Sequence, residues 1–195
     1  MEKDEIVIGE ILVAAKSLFA KFGLKKTTIE DISIAANKGK STLYYYFPGK
    51  NEIFEAVVKY ELETVIRNLR ENVSAVHSAK DKLRAFLTIQ GINILELRSL
   101  YKVLFEDILE SRRMLMPLRL KYEQIQIEMI TEILSGGVIS GEFKNLSAEN
   151  IKKLSFFMII AFRGLHYPLS INPAEIQSQE YFDELIDMLI EGIGN

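Results

Sequence analysis

The residues best suited to a chemical task lie in one run, Thr27 to Lys50, which reads TTIEDISIAANKGKSTLYYYFPGK. It holds lysines (Lys38, Lys40, Lys50), small or hydroxylated positions (Gly39, Ser41, Thr42) and three consecutive tyrosines, Tyr44, Tyr45 and Tyr46. Ammonium groups bind phosphate, and small residues let a backbone come close to a ligand. A tyrosine offers its ring to sugars or thymine methyls and its hydroxyl to phosphate. This set is built to recognise a polyanion, not to make or break bonds. The competing reading is that the tyrosines are ordinary core. One helix face cannot bury three adjacent residues, however, so at least one ring must be exposed, and an exposed aromatic beside lysines favours a contact surface.

The elements that must position these residues read as helices. Ile8, Ile11, Leu12, Ala15, Leu18, Phe19 and Phe22 recur at spacings of three and four, the apolar stripe of an amphipathic helix that Gly23 stops. Thr27 and Thr28 each precede an acid by three residues, so either is able to cap a second helix in a capping box. That helix spans about 28–36 and buries Ile29, Ile32 and Ala36. Asn37 tolerates a left-handed turn. Residues 40–47 form a third helix, with Leu43 and Phe47 as anchors and Tyr46 as either an anchor or a phosphate contact. Pro48 and Gly49 end it. Lys50 then opens a long fourth helix running to about Asn72.

Two short helices joined by a tight Asn-Lys-Gly turn have the spacing of a helix-turn-helix. In that motif the second helix enters the major groove and its N-terminal residues reach base edges. Here those are Gly39, Lys40, Ser41 and Thr42. Lys50 and Thr28 stand at helix starts, where free N–H groups and the dipole favour an anion.

Charge is distributed accordingly. Residues 21–50 hold six lysines (Lys21, Lys25, Lys26, Lys38, Lys40, Lys50) against Glu30 and Asp31, although the whole chain carries a net charge of -3. A polyanion-facing end on an acidic body follows.

The block from Ile6 to about Phe54 resembles the DNA-binding domain of TetR-type (tetracycline-repressor-like) regulators. The matching features are Phe22-Gly23, the Thr27-Thr28 start of helix 2, and above all Thr42-Leu43-Tyr44-Tyr45-Tyr46-Phe47 followed by Lys50. Further on, Gly137 to Phe143 is similar to the turn many members place before their last two helices. The chain departs from the family in the inter-helix turn: glycine, valine and serine are common where Asn37, Lys38 and Gly39 stand, and glycine is common at Ser41. Lys38 removes a small apolar plug and adds charge.

Beyond the headpiece the pattern predicts helices at about 81–97, 99–110, 117–135, 148–169 and 174–193. Pro117 suits a first helical turn, and Gly136, Gly137 and Gly141 suit a loop. The fold class is therefore all-α: a three-helix headpiece (1–50) joined by the long fourth helix to a C-terminal bundle (51–195), about nine helices altogether. The resemblance implies that the bundle binds an effector in a cavity, with Tyr101, Phe105, Tyr122 and Phe162 as candidate lining. It also implies that the last two helices pair with a second copy. Residues 156–162, Leu185, Ile186, Leu189, Ile190 and Ile193 leave those helices apolar on several sides, and Phe157, Phe162, Leu165, Leu185 and Leu189 are candidate interface residues.

Other chemistries find little support. Gly39-Lys40-Ser41 imitates the end of a phosphate-binding loop, but Ile34 stands where that loop needs glycine, and a helix leads in where it needs a strand. The chain has two histidines, His77 and His166, and no cysteine, short of the three or four ligands of a zinc site. His166 reads as a hydrogen-bonded residue near an interface, with an effector contact as the alternative. No metal, cofactor or enzymatic activity is expected. A basic leader followed by an apolar run is missing from the first residues, and no apolar stretch is long enough to span a bilayer. A cytoplasmic, non-membrane protein is expected. The reading is a homodimeric regulator, a repressor binding double-stranded DNA at a pseudo-palindromic operator and released by a small-molecule effector. A helical ligand-binding or adaptor protein whose headpiece has lost operator recognition stays open, as does an enzyme of the helical-bundle type. Effector, operator and target genes leave no mark in the sequence.

Overall fold

The computed structural model describes residues 2–92, 112–171 and 179–194. The regular elements among them are helices: α1 (Glu2–Lys26), α2 (Ile29–Ala35), α3 (Lys40–Tyr46), α4 (Lys50–Ser74), α5 (79–92), α6 (Arg112–Ser140), α7 (Ala148–Ile171) and α8 (Gln179–Ile193). The expected all-α architecture with a long fourth helix is what the chain adopts. The helix expected at 99–110 lies outside the described residues, as do Tyr101 and Phe105. The chain divides into two compact units, Met1–Glu63 with Ser99–Leu118, and Thr64–Arg98 with Arg119–Asn195.

In the first unit the helices share one apolar core. Ile11, Ala15 and Phe19 of α1, Ile32 of α2, Leu43 of α3, and Ile53 and Phe54 of α4 are fully buried in it. Leu115, from the start of α6, joins the same cluster. Phe19 and Phe54 meet edge to face at 5.4 Å, a favoured aromatic geometry. Lys16 reaches from α1 to Glu61 of α4 at 2.7 Å. Gly23 breaks the helical path of α1 with φ 81 and ψ 166, and α1 then resumes to Lys26.

In the second unit Leu83, Phe86 and Leu87 of α5, Ile130 and Leu134 of α6, Ile151, Met158 and Ile159 of α7, and Phe182, Ile186 and Ile190 of α8 are buried. Two expectations are corrected here. Pro117 sits inside α6 rather than in its first turn. Gly136 and Gly137 do not open a loop, because α6 continues to Ser140 and only Gly141, with φ 79, leaves the helix. The reason is packing: a Cβ at Gly137 would collide with the Phe143 ring, which folds back onto the helix. The turn after α6 is tied down by Glu142, whose two carboxylate oxygens accept from the backbone N–H of Ala79 and Lys80 at 3.0 and 3.1 Å. These bonds satisfy first-turn donors of α5, which helix geometry leaves unpaired, and they hold the Glu142 carboxyl below its usual pKa.

Candidate nucleic-acid interface

The candidate interface is built by α2, the turn after it and α3. Thr28, not Thr27, caps α2: its hydroxyl accepts from the Asp31 N–H at 3.1 Å, and its own N–H donates to the Asp31 carboxylate at 2.8 Å. The Thr28 hydroxyl also donates to that carboxylate at 2.7 Å, and these bonds lower the Asp31 pKa. Thr27 is buried instead, its hydroxyl donating to the Gly23 carbonyl at 2.8 Å.

The turn closes as a Schellman motif. The Asn37 N–H donates to the Ile34 carbonyl at 3.1 Å and the Lys38 N–H to the Ser33 carbonyl at 3.0 Å. Asn37 sits at φ 52, the left-handed position this motif requires and that asparagine tolerates better than most residues. Gly39 follows in extended geometry and starts α3 without a side-chain cap. Its φ of -70 suits any residue, and a Cβ there would meet only Ser41 Oγ and Thr42 Oγ1 at ordinary contact distances, 3.5 and 3.8 Å. The fold does not demand glycine at this point.

Helix α3 splits its side chains cleanly. Leu43 and the following Phe47 enter the core. Tyr44 and Tyr45 are 55% and 80% exposed, and Gly39, Lys40 and Ser41 are exposed with them, Thr42 partly so. Tyr46 is half-buried against the core and packs edge to face on Tyr45 at 4.8 Å. Its hydroxyl donates to Asp4 Oδ1 at 2.6 Å, a bond that pushes the phenol up to about 12. Of the three tyrosines, two therefore project outward and one is an anchor with an internal partner.

The lysines have internal partners as well. Lys38 pairs with Glu10 at 2.7 Å and Lys40 with Glu30 at 3.0 Å. Lys50 donates to three carbonyls at the end of α1, those of Leu24 (2.6 Å), Thr27 (2.8 Å) and Lys25 (3.3 Å). Sequence reasoning finds the cations and misses these partners. Asp4, Glu10 and the α1 carbonyls lie more than twenty positions away, so no local pattern announces them.

In the second unit, Tyr122 is buried on α6 and Phe162 is half-buried on α7. Tyr122 shares a face of α6 with Gln126, whose side-chain oxygen accepts from buried Gln90 of α5 at 2.6 Å. Neither glutamine stands out in the sequence. Of the interface candidates, Phe157 and Leu185 are exposed, Phe162 and Leu189 are half-buried, and the Leu165 side chain lies outside the described ones. Phe156 and Met188 add to the exposed apolar surface of α7 and α8. No described helix is long and apolar enough to cross a membrane.

Three comparisons bear on this arrangement. Residues 11–57 match the family described as bacterial regulatory proteins, tetR family. The chain is 26% identical over 140 residues to the HTH-type transcriptional repressor KstR2 of Mycobacterium tuberculosis, covering 70% of this chain and 68% of that one. It is 24% identical over 196 residues to the HTH-type transcriptional regulator RutR of Escherichia coli, covering 94% and 88%. Among solved structures, a transcriptional regulator from Cytophaga hutchinsonii superposes with a TM-score of 0.79 at 25% identity, covering all of both chains.

Proposed function

The chain belongs to the tetR family of bacterial regulatory proteins and is a DNA-binding transcriptional regulator, and from that premise we propose a cytoplasmic homodimeric repressor that an effector releases from its operator. The headpiece, 1–50, reads DNA; the remainder, 51–195, binds the effector and the second copy. The observation that carries this reading is the division of α3: Leu43 and Phe47 fix it to the core, while Gly39, Lys40, Ser41, Thr42, Tyr44 and Tyr45 face outward from a Schellman turn. A helix so mounted enters a major groove with its N-terminal residues toward base edges. Lys38, Lys40, Thr28 and the backbone N–H groups at the start of α4 lie where the flanking phosphates would pass, the Lys50 ammonium itself being turned back onto the end of α1, and Tyr46 supports Tyr45 from behind.

A two-fold dimer sets two such helices in successive major grooves of a pseudo-palindrome. Phe156 and Phe157 of α7 with Leu185 and Met188 of α8 supply the apolar surface for that pairing. Effector binding in the second unit, beside Tyr122, Phe162 and the Gln90–Gln126 pair, favours a state with a different headpiece separation. It weakens DNA binding only as far as the effector prefers that state. Nothing in this scheme is enzymatic and no cofactor takes part.

The test is binding of the purified protein to DNA upstream of its own gene across a salt series. Sequence-specific binding that weakens steeply with salt supports the regulator. Binding that is absent at every sequence tried, or indifferent to salt, supports a helical adaptor instead.

A further inference from the structure

The charged groups around α3 are already neutralised from within the headpiece. Glu10, on α1, holds Lys38 at 2.7 Å, and Glu30, on α2, holds Lys40 at 3.0 Å. The two carboxylates come from different helices and different distances along the chain, yet each finds one of the two lysines flanking Gly39. Both pairs are open to solvent: the side chains of Lys38 and Glu10 are 26% and 50% exposed, those of Lys40 and Glu30 53% and 62%. A DNA phosphate approaching this turn competes with a carboxylate for each ammonium group.

We propose that Glu10 and Glu30 are internal counter-ions that restrain the phosphate-driven affinity of the headpiece. This rests on the reading of α3 as the DNA-contacting helix. Before Lys38 or Lys40 turns to a phosphate it must leave its carboxylate, and the freed carboxylate draws a cation from solution. Each exchange thus offsets the counter-ion release that drives non-specific binding. The cost is the same on any duplex. Affinity for operator and for other DNA falls together, and their ratio stays fixed, while time spent on non-operator DNA shortens. An exposed ion pair is weak, so the restraint is graded rather than absolute.

The experiment uses the full chain with Glu10→Gln and Glu30→Gln, singly and together, measured on the operator fragment and on a shuffled duplex of equal length. Each substitution is expected to tighten binding to both duplexes by roughly 1.4- to 5-fold per subunit, from the strength of exposed pairs. The slope of log affinity against log salt should steepen by up to about 0.9 per freed lysine. In a Lys38→Gln background Glu10→Gln should add nothing, and in a Lys40→Gln background Glu30→Gln should add nothing. Unchanged or weaker binding overturns the proposal, the latter because it would mean the carboxylates pre-position the lysines for DNA. A gain that persists without the lysine also overturns it, since simple repulsion would then be the cause. A wild-type chain that binds no duplex defeats the reading of α3 itself; a wild type that binds while its variants do not respond defeats this proposal alone.

Discussion

Replacing Lys50 with methionine is expected to loosen the headpiece and weaken DNA binding while leaving its salt dependence unchanged. The ammonium group lies 2.6 Å from the Leu24 carbonyl and 2.8 Å from that of Thr27, both on buried residues, and 3.3 Å from that of Lys25. Those carbonyls stand where α1 ends beyond the break at Gly23, so the ammonium group supplies a charged donor at a helix end. Hydrogen bonds from a charged donor contribute about 1.5–3 kcal/mol. Lys50 is half-buried and water replaces part of the loss, so a cost of about 2 kcal/mol is reasonable. In a unit of this size that lowers the melting temperature by roughly 10 °C. Because two units need not melt as one, the informative assay is amide hydrogen exchange across 24–36, where protection should drop. DNA affinity should fall with a salt slope equal to that of the wild type, since no phosphate contact is lost. Lys38→Gln is the contrast, with a slope shallower by up to about 0.9 per subunit. Unchanged exchange together with a shallower slope for Lys50→Met would refute the argument and make Lys50 a phosphate contact.

Gly39→Ala should leave the melting temperature within a few degrees of the wild type, because the added Cβ meets only ordinary contacts; gel-shift assays should nonetheless show weakened operator binding if the turn must approach DNA closely. Gly137→Ala should cost about 1–3 kcal/mol through collision with the Phe143 ring, read by chemical denaturation. Glu142→Ala should cost about 1 kcal/mol at neutral pH, the usual effect of losing a helix N-terminal cap in solvent. The Glu142 carboxyl is held below its ordinary 4.5 in the fold, so its contribution is complete above that value and fades as pH falls through the folded pKa; the gap between wild-type and variant melting curves should close in acid and stay constant from pH 6 to 8. Phe157→Asp with Leu185→Asp should convert the proposed dimer to a monomer by sedimentation, while far-ultraviolet circular dichroism stays unchanged.

What the sequence discloses and what it withholds divide along one physical line. A capping box at Thr27 or Thr28, the left-handed Asn37, and the anchors Leu43 and Phe47 are legible because each depends on residues within about one or two helical turns, although the choice of Thr28 over the buried Thr27 is made by packing. Whether Tyr44, Tyr45 or Tyr46 faces outward is not legible, because a helix of seven residues has too few turns for a period to emerge. The choice is made by the core contact of Tyr46 and by Asp4, 42 positions earlier. Lys50 follows the same logic: its place at the head of α4 suggests an anion, yet the carbonyls it meets come from 23 to 26 positions back. Gly137 misleads for a related reason, since glycine in a helix is disfavoured on its own and is explained here only by the Phe143 ring that packs over it, whereas no neighbour explains Gly136. Backbone signals are local, whereas the partner of a charged or aromatic side chain is settled by tertiary packing. A motif therefore points to the proposed reading helix but not to the ionic state of its lysines in the free protein. That state decides how a cation contributes: a lysine already bound to a carboxylate adds to DNA affinity only the difference between two anions.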